Sequence, residues 1–310
     1  MSKVLLMGGT GWLGHLVREE LVRAGYEVTV LTRGRRKEFA PDPQTVRTIC
    51  ADKSDENAMK EVLSERYHFI IDTVPQVASA ELVFKYAAGL THYVHCSSTG
   101  GYAPLPFIPC DETAPYGGFR KGTGWAGKRE VDSYVLDRFH RDGFPATVIR
   151  PCYISGPGRF PLDNYGGRRE EYIPDVFRGR TLEVPNDGQA LLQPVRVQDL
   201  AKSFVLALAQ PRSIGEIYNV CSDHAITLDR YHEVTAGAFG KKPEIVHVEM
   251  ESLLQKHGDA VDENGLRFLA CHMCFTNAKA RRDLGYEPSL TPEEIVEECA
   301  LWTARHLGLI

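Results

Sequence analysis

Met7-Gly8-Gly9-Thr10-Gly11-Trp12-Leu13-Gly14 decides how the rest of the chain is read. Glycines at 8, 11 and 14 stand between an apolar run, Val4–Met7, and a set of residues at helical spacing: Trp12, Leu13, Leu16, Val17, Leu21 and Val22, ended by Gly25. A backbone that must turn sharply out of a strand, keep Cβ atoms out of the path of a pyrophosphate, and aim the free N–H groups of a new helix at it needs glycines there. The glycine pattern alone is a weak signal; the strand before it and the helix after it supply the confirming context. Gly8, Thr10, Gly11, Trp12, Leu13 and Gly14 are thus candidate contacts to a dinucleotide.

Outward from this loop, short apolar runs alternate with helical patterns. Glu27–Leu31 reads as a strand, and Ser54 is positioned to cap a helix carrying Met59, Val62 and Leu63. Phe69–Ile71 is a strand, Leu82, Val83 and Tyr86 mark a helix, and Tyr93–Cys96 is a strand. Lys128–Arg141 is a helix with Val131, Tyr134, Val135 and Phe139 on one face, and Ala146–Ile149 is a strand stopped by Pro151. Strands apolar on both faces, alternating strictly with helices, specify an α/β fold: a Rossmann-type doubly wound parallel sheet over residues 1–150. Residues 151–310 form a smaller α/β part, mainly for substrate, with some segments returning to the sheet. No linker separates the two, so they should pack directly. The irregular stretch Gly156–Arg169 is longer than a simple connection, and loops of that kind tend to carry function. Beyond it the pattern predicts a helix at Val197–Ala209, a strand at Glu216–Val220, a helix at Leu228–Phe239 and a strand at Glu244–Val248. Thr291, Pro292 and Glu294 spell a capping box for a last helix.

Composition bounds the function. At 310 residues, with 43% hydrophobic and 25% charged residues, the chain is neither disordered nor a coiled coil. A net charge of −5 argues against nucleic acid as the main ligand. No apolar run approaches the ~20 residues of a membrane span, and strand-like sequence from Lys3 leaves no room for an export signal. Eight scattered cysteines without a disulfide framework fit a reduced, cytoplasmic protein. The CxxC at Cys271 and Cys274 lacks a second ligand pair and the histidines are dispersed, so no metal site is expected.

The end of the second strand distinguishes the two pyridine dinucleotides. A protein holding the ribose hydroxyls of NAD places a carboxylate there, about twenty residues after the loop. Here the position is Thr32, followed by Arg33-Gly34-Arg35-Arg36. Nothing repels a 2′-phosphate, and Arg33 is placed to grip one, so NADP(H) is favoured over NAD(H), with Arg35 and Arg36 read as a solvated loop. Asp52 is a candidate for the adenine amino group.

Several further stretches resemble the extended short-chain dehydrogenase/reductase superfamily, in its epimerase/dehydratase branch. They are the glycine loop, Cys96-Ser97-Ser98 leading to Tyr102, Gly127-Lys128 opening a helix, Arg150-Pro151 with Gly156-Pro157-Gly158, Val195–Leu200, and Ala280–Tyr286. The resemblance covers nearly the whole chain and is specific for the superfamily, not for a substrate. It implies that Ser98 polarises a substrate oxygen and that Lys128 holds the nicotinamide ribose and lowers the pKa of a tyrosine four residues earlier. That residue is Gly124, and none of the 13 tyrosines is followed by lysine at the fourth place. Spacing i, i+4 on a helix is what would bring phenol and ammonium together.

Three readings follow from the loss. A catalyst could use another proton donor, with Tyr102 and Tyr116 the leading candidates and Thr123, His95 and Cys96 behind them. The protein could bind the dinucleotide without turning it over. Or it could follow atypical members that include the chloroplast stem-loop RNA-binding proteins, to which Gln193 and the surrounding spacing are similar; the acidic net charge speaks against RNA. In sugar-nucleotide members an arginine that grips the diphosphate stands where this chain has Leu192. The segment Arg159–Arg180, with Tyr165 and Tyr172, is the expected substrate wall, and Arg159, Arg168, Arg169 or Arg178 could replace that arginine. Cys152 should face the nicotinamide, and Pro151–Tyr153 should share one crevice with Gly8–Gly14, Arg33, Ser98 and Lys128. The favoured expectation is an NADP(H)-dependent oxidoreductase acting on a small polar carbonyl or alcohol compound. The alternatives are a sugar (nucleotide) epimerase or dehydratase with a retained cofactor, and a non-catalytic dinucleotide-binding or RNA-associated protein. The resemblance also implies a homodimer through helices at 78–88 and 128–142.

Overall fold

Val4, Leu5, Leu6 and Met7 are all excluded from solvent, as they must be in a strand covered on both faces. The computed structural model describes residues 2–35, 38–117 and 124–310, with backbone alone at 124–126 and 259. Its strands are β1 (Lys3–Met7), β2 (Glu27–Thr32), β3 (Arg47–Cys50), β4 (Phe69–Asp72), β5 (His92–Cys96), β6 (Ala146–Pro151), β7 (Tyr153–Ser155), β8 (Leu182–Pro185), β9 (Leu191–Leu192), β10 (Pro194–Arg196), β11 (Ile217–Val220), β12 (Ile226–Thr227) and β13 (Ile245–Val248). The helices are α1 (Trp12–Arg23), α2 (Glu56–Val62), α3 (Val77–Tyr86), α4 (Gly124–Asp142), α5 (Tyr172–Arg178), α6 (Val197–Ala209), α7 (Leu228–Gly237), α8 (Met250–His257), α9 (Glu263–Leu269), α10 (Ala278–Leu284) and α11 (Pro292–His306).

Seven strands form one parallel sheet in the order β11-β6-β5-β4-β1-β2-β3. The winding direction reverses between β1 and β4, and in such sheets ligands bind beyond the carboxyl ends of the strands at that point. Side chains leave a strand on alternate faces. Val4 and Leu6 therefore meet Val17 and Leu21 of α1 and Leu200 and Phe204 of α6. Leu5 and Met7 face the other way, toward Met59, Val83, Val131 and Val135 of α2, α3 and α4. Each such fully buried aliphatic side chain contributes roughly 1.5–3 kcal/mol. The C-terminal part has its own core, with Ile173, Val176, Val184, Leu228, Val296 and Ala300 packed together.

Two local expectations are adjusted and a third is specified. Asp55, not Ser54, caps α2: its carboxylate accepts from the Ala58 N–H at 3.0 Å, while Ser54 donates to Asp52 at 2.6 Å. Helix α4 begins at Gly124, one turn before Lys128. The segment returning to the sheet is α6 with β11: β11 pairs with β6, so the sheet draws on residues up to Val220.

Candidate active site

The glycine loop is shaped by what cannot fit beside it. Gly8 sits at φ +88°, and a Cβ there would be driven into the Thr73 side chain. A Cβ at Gly14 would strike the Gly8 carbonyl, so the first turn of α1 rests backbone to backbone on the loop. The Gly11 N–H closes the turn onto the Gly8 carbonyl at 2.9 Å. No side chain caps α1, so its first N–H groups are left to whatever lies in front of them. Trp12 ties the loop to the C-terminal part, its Nε1 donating to the Pro157 carbonyl at 2.7 Å. Leu13 is packed against the core under α1.

In front of the loop lies a cleft of about 340 Å³, lined among others by Gly8, Thr10, Gly11, Thr32, Arg33 and Asp52. Thr10 and Thr32 share a hydroxyl–hydroxyl hydrogen bond of 2.9 Å, which fixes the end of β2 against the loop. Arg33 and Arg35 are exposed and both line the cleft. Hydrogen bonds from Ser54 hold the Asp52 carboxyl below its ordinary range, with the charges of Arg33 and Arg35 adding. Arg36 lies outside the described residues. A feature the sequence did not announce spans the floor: Lys53 Nζ donates to both oxygens of fully buried Asp72, at 2.7 and 2.8 Å, and to the Val74 carbonyl. Ser79 and the Val74 N–H also donate to Asp72, so the buried carboxylate is fully compensated. Bare glycine backbone, an uncapped helix end and flanking arginines fit a pyridine dinucleotide.

The second feature begins where β5 ends. Ser98 Oγ accepts from the Gly100 N–H at 3.1 Å, capping the turn Thr99–Tyr102, and its own proton has no acceptor among the described residues. Lys128 reaches the same strand end, with Nζ donating to the Cys96 carbonyl at 2.9 Å. One turn further along α4, Asp132 is buried and accepts from Ser97 Oγ at 2.8 Å and from Arg150 Nε at 3.0 Å. Burial pushes the Asp132 carboxyl up, and the Arg150 charge opposes that shift. Removing either partner of this ion pair would strand a buried charge, at about 3–5 kcal/mol. His95 is fully buried beside Asp132, and burial together with the Lys128 and Arg150 charges holds it neutral.

The two leading candidate phenols both belong to this buried network. Tyr102 is buried, its hydroxyl accepting from Arg150 at 2.6 Å and donating to Asn219 at 3.2 Å. Tyr116 donates to the Ser98 carbonyl at 2.8 Å, its ring lies under the Arg150 guanidinium at 3.6 Å, and burial pushes its hydroxyl up to about 12. Neither lines the cavity next to Ser98, so they brace the strand end on which Ser98 sits. Cys96 is buried, which pushes its thiol up to about 11. Thr123 lies outside the described residues.

The cavity next to Ser98 measures about 310 Å³ and is walled by Cys152, Tyr153, Arg159, Arg168, Phe268 and Met273, among others. Of the expected substrate wall, only Arg159 and Arg168 among its arginines line it. Arg169 pairs with Asp163 at 3.2 Å, Arg178 is exposed on α5, Tyr165 donates to Glu183 at 3.1 Å, and Tyr172 is buried against His232 at 2.7 Å. Cys152 lines this cavity and not the glycine-loop cleft. Leu192 and Gln193 are buried, and Gln193 clamps the backbones of Ser222 and Phe275. The far wall, Asp262 to Met273, went unassigned in the sequence, because only the tertiary fold brings it to Ser98. Among the described residues no cluster suits a metal ion.

Comparison with known proteins agrees with this architecture. Residues 4–82 and 76–221 match the profile described as the NAD dependent epimerase/dehydratase family. The chain is 30% identical to "Chloroplast stem-loop binding protein of 41 kDa b, chloroplastic" from Arabidopsis thaliana, over 93% of this chain and 75% of that protein. It is 23% identical to UDP-arabinose 4-epimerase 1 of the same plant, over 84% and 71% of the two chains. Among solved structures, UDP-glucose 4-epimerase of Thermotoga maritima with UDP-glucose superposes with a TM-score of 0.74 at 20% identity, covering 98% and 99% of the chains. dTDP-glucose 4,6-dehydratase of Bacillus anthracis in complex with NAD gives 0.78 at 17% identity, covering 99% and 98%.

Proposed function

The chain belongs to the NAD dependent epimerase/dehydratase family, and we propose that it is an NADP(H)-dependent oxidoreductase acting on a small polar carbonyl or alcohol compound. The observation that carries this reading is the convergence of Ser98 and Lys128 on the carboxyl end of β5, across the switch point from an uncapped glycine loop whose neighbouring strand ends in Thr32 and Arg33. A bound reduced dinucleotide supplies hydride. Arg33, helped by Arg35, grips the 2′-phosphate, and Asp52 meets the adenine amino group. Lys128, tied by one N–H to the Cys96 carbonyl, would hold the nicotinamide ribose with the others. Ser98 donates its unengaged proton to the substrate oxygen, where negative charge develops. The eight free cysteines fit a reducing compartment, the cytoplasm.

A second reading uses the same residues. The UDP-arabinose 4-epimerase relative favours an epimerase or dehydratase that keeps its cofactor through the cycle. The name of the stem-loop binding relative raises nucleic acid as a ligand, against which the net charge of −5 stands.

Fluorescence titration with NADPH and NADH, followed by absorbance assays on D-glyceraldehyde, diacetyl and 9,10-phenanthrenequinone, tests the reading. Binding should favour NADPH, and Ser98→Ala and Lys128→Met should each lower turnover by about 10²–10³-fold. Conversion of UDP-glucose with no net change in reduced dinucleotide would move the assignment to the second reading. Salt-sensitive binding of an RNA stem-loop, with neither dinucleotide bound, would overturn both.

A further inference from the structure

Catalysis at Ser98 lacks the phenol that position 124 does not provide, and the hydroxyls of Tyr102 and Tyr116 are engaged with Arg150, Asn219 and Ser98. Another tyrosine hydroxyl near Ser98 is not engaged. Tyr153 opens β7, three residues after Arg150, and lines the cavity that Ser98 and Gly100 also line. Its ring packs on Phe268 with centroids 5.5 Å apart, which holds it in one orientation. Its register with Pro194 of β10 fixes the backbone beneath it. The hydroxyl makes no hydrogen bond with any described residue, yet it is not one of the sealed, partnerless hydroxyls such as Tyr93 and Tyr218. A phenol hydroxyl with no protein partner on a cavity wall is left to donate to an oxygen-bearing ligand.

We infer that Tyr153 is the proton donor and acceptor of this site, acting with Ser98 on the substrate oxygen from the wall of the cavity they share. The inference rests on the oxidoreductase reading above. In the reducing direction the carbonyl carbon gains hydride from a reduced nicotinamide dinucleotide, which leaves oxidised. The C–O π pair moves onto oxygen, the Tyr153 Oη proton transfers to that oxygen, and water returns a proton to the phenolate. Oxidation of the alcohol runs the same transfers backward. Burial keeps this phenol protonated at rest, and the neighbouring Arg168 charge favours the phenolate once the proton has left.

Tyr153→Phe in the full chain tests it, because the ring contact with Phe268 survives the change. Thermal melting and NADPH affinity should stay within about twofold of the unaltered protein, while turnover of the three carbonyl probes falls by about 10²–10³-fold. Hydroxyl-radical footprinting gives a readout apart from activity: Tyr153 should be oxidised in the free protein and protected when 9,10-phenanthrenequinone and NADP⁺ are both present. Turnover retained within threefold in Tyr153→Phe, or no protection of Tyr153, overturns the inference and leaves the oxidoreductase reading standing. Tight NADPH binding with no turnover of any probe overturns the catalytic reading, and the inference goes with it.

Discussion

The cleft at the ends of β1 and β2 is built on one local glycine loop, whereas the cavity beside Ser98 is assembled from distant stretches of chain. In the cleft, glycines at 8 and 14 are required by close approaches to Thr73 and to the loop itself, and the helix end offers bare N–H groups. In the cavity, Ser98, Tyr153, Arg168 and Phe268 come from four separate stretches of chain. A ligand bound through main-chain groups leaves a compact local signature. One bound through side chains can be served by many sequences, which is how a family keeps its dinucleotide while its substrates diverge.

The sharpest way to break that contrast is Gly14→Ala. The added methyl meets backbone that no rotamer change can relieve, and overpacking of about 1–3 kcal/mol predicts a loss of dinucleotide affinity approaching 100-fold, read by fluorescence titration, with a lowered melting temperature. Arg33→Ala probes a part of the cleft that depends on a side chain. Loss of charged hydrogen bonds, each about 1.5–3 kcal/mol, should weaken NADPH by roughly tenfold or more and leave NADH nearly unchanged.

The smallest effect concerns what the two halves share. Burial alone lowers His92, on the sheet, to about 4 and His232, on α7, to about 3, against 6.5 for an exposed imidazole. Both stay neutral in the folded chain while the unfolded chain takes up protons. Stability is therefore full above about pH 6.5 and declines as pH falls through the interval down to those lowered values. Urea unfolding at pH 7.5 and 5 should show this decline, reduced in His92→Gln.

Legibility followed the same divide. The strands of the sheet, the glycine loop and the Thr291 capping box, closed by Glu294 Oε2 accepting from the Thr291 N–H at 2.8 Å, were readable because periodicity and capping act over a few residues. Lys53–Asp72 and Asp132–Arg150 were not, since each joins residues 18 or more positions apart. Nothing local marks an acidic side chain as the one to be buried. Ser54 and Asp55 stand side by side before α2, and the choice of cap turns on the bond from Ser54 to Asp52. Tyr153 was legible as a crevice residue only; its lack of a partner is a tertiary fact.

The placement of β11 at the edge of the sheet, beside β6, has a consequence for how the chain is made. A nascent polypeptide that has left the ribosome only as far as residue 150 carries six sheet strands with β6 unpaired on its outer side and the surface awaiting α6 uncovered. The dinucleotide half cannot close until residue 220 has emerged. Truncations at the apparent boundary should yield a sticky fragment prone to self-association, not a minimal cofactor-binding unit.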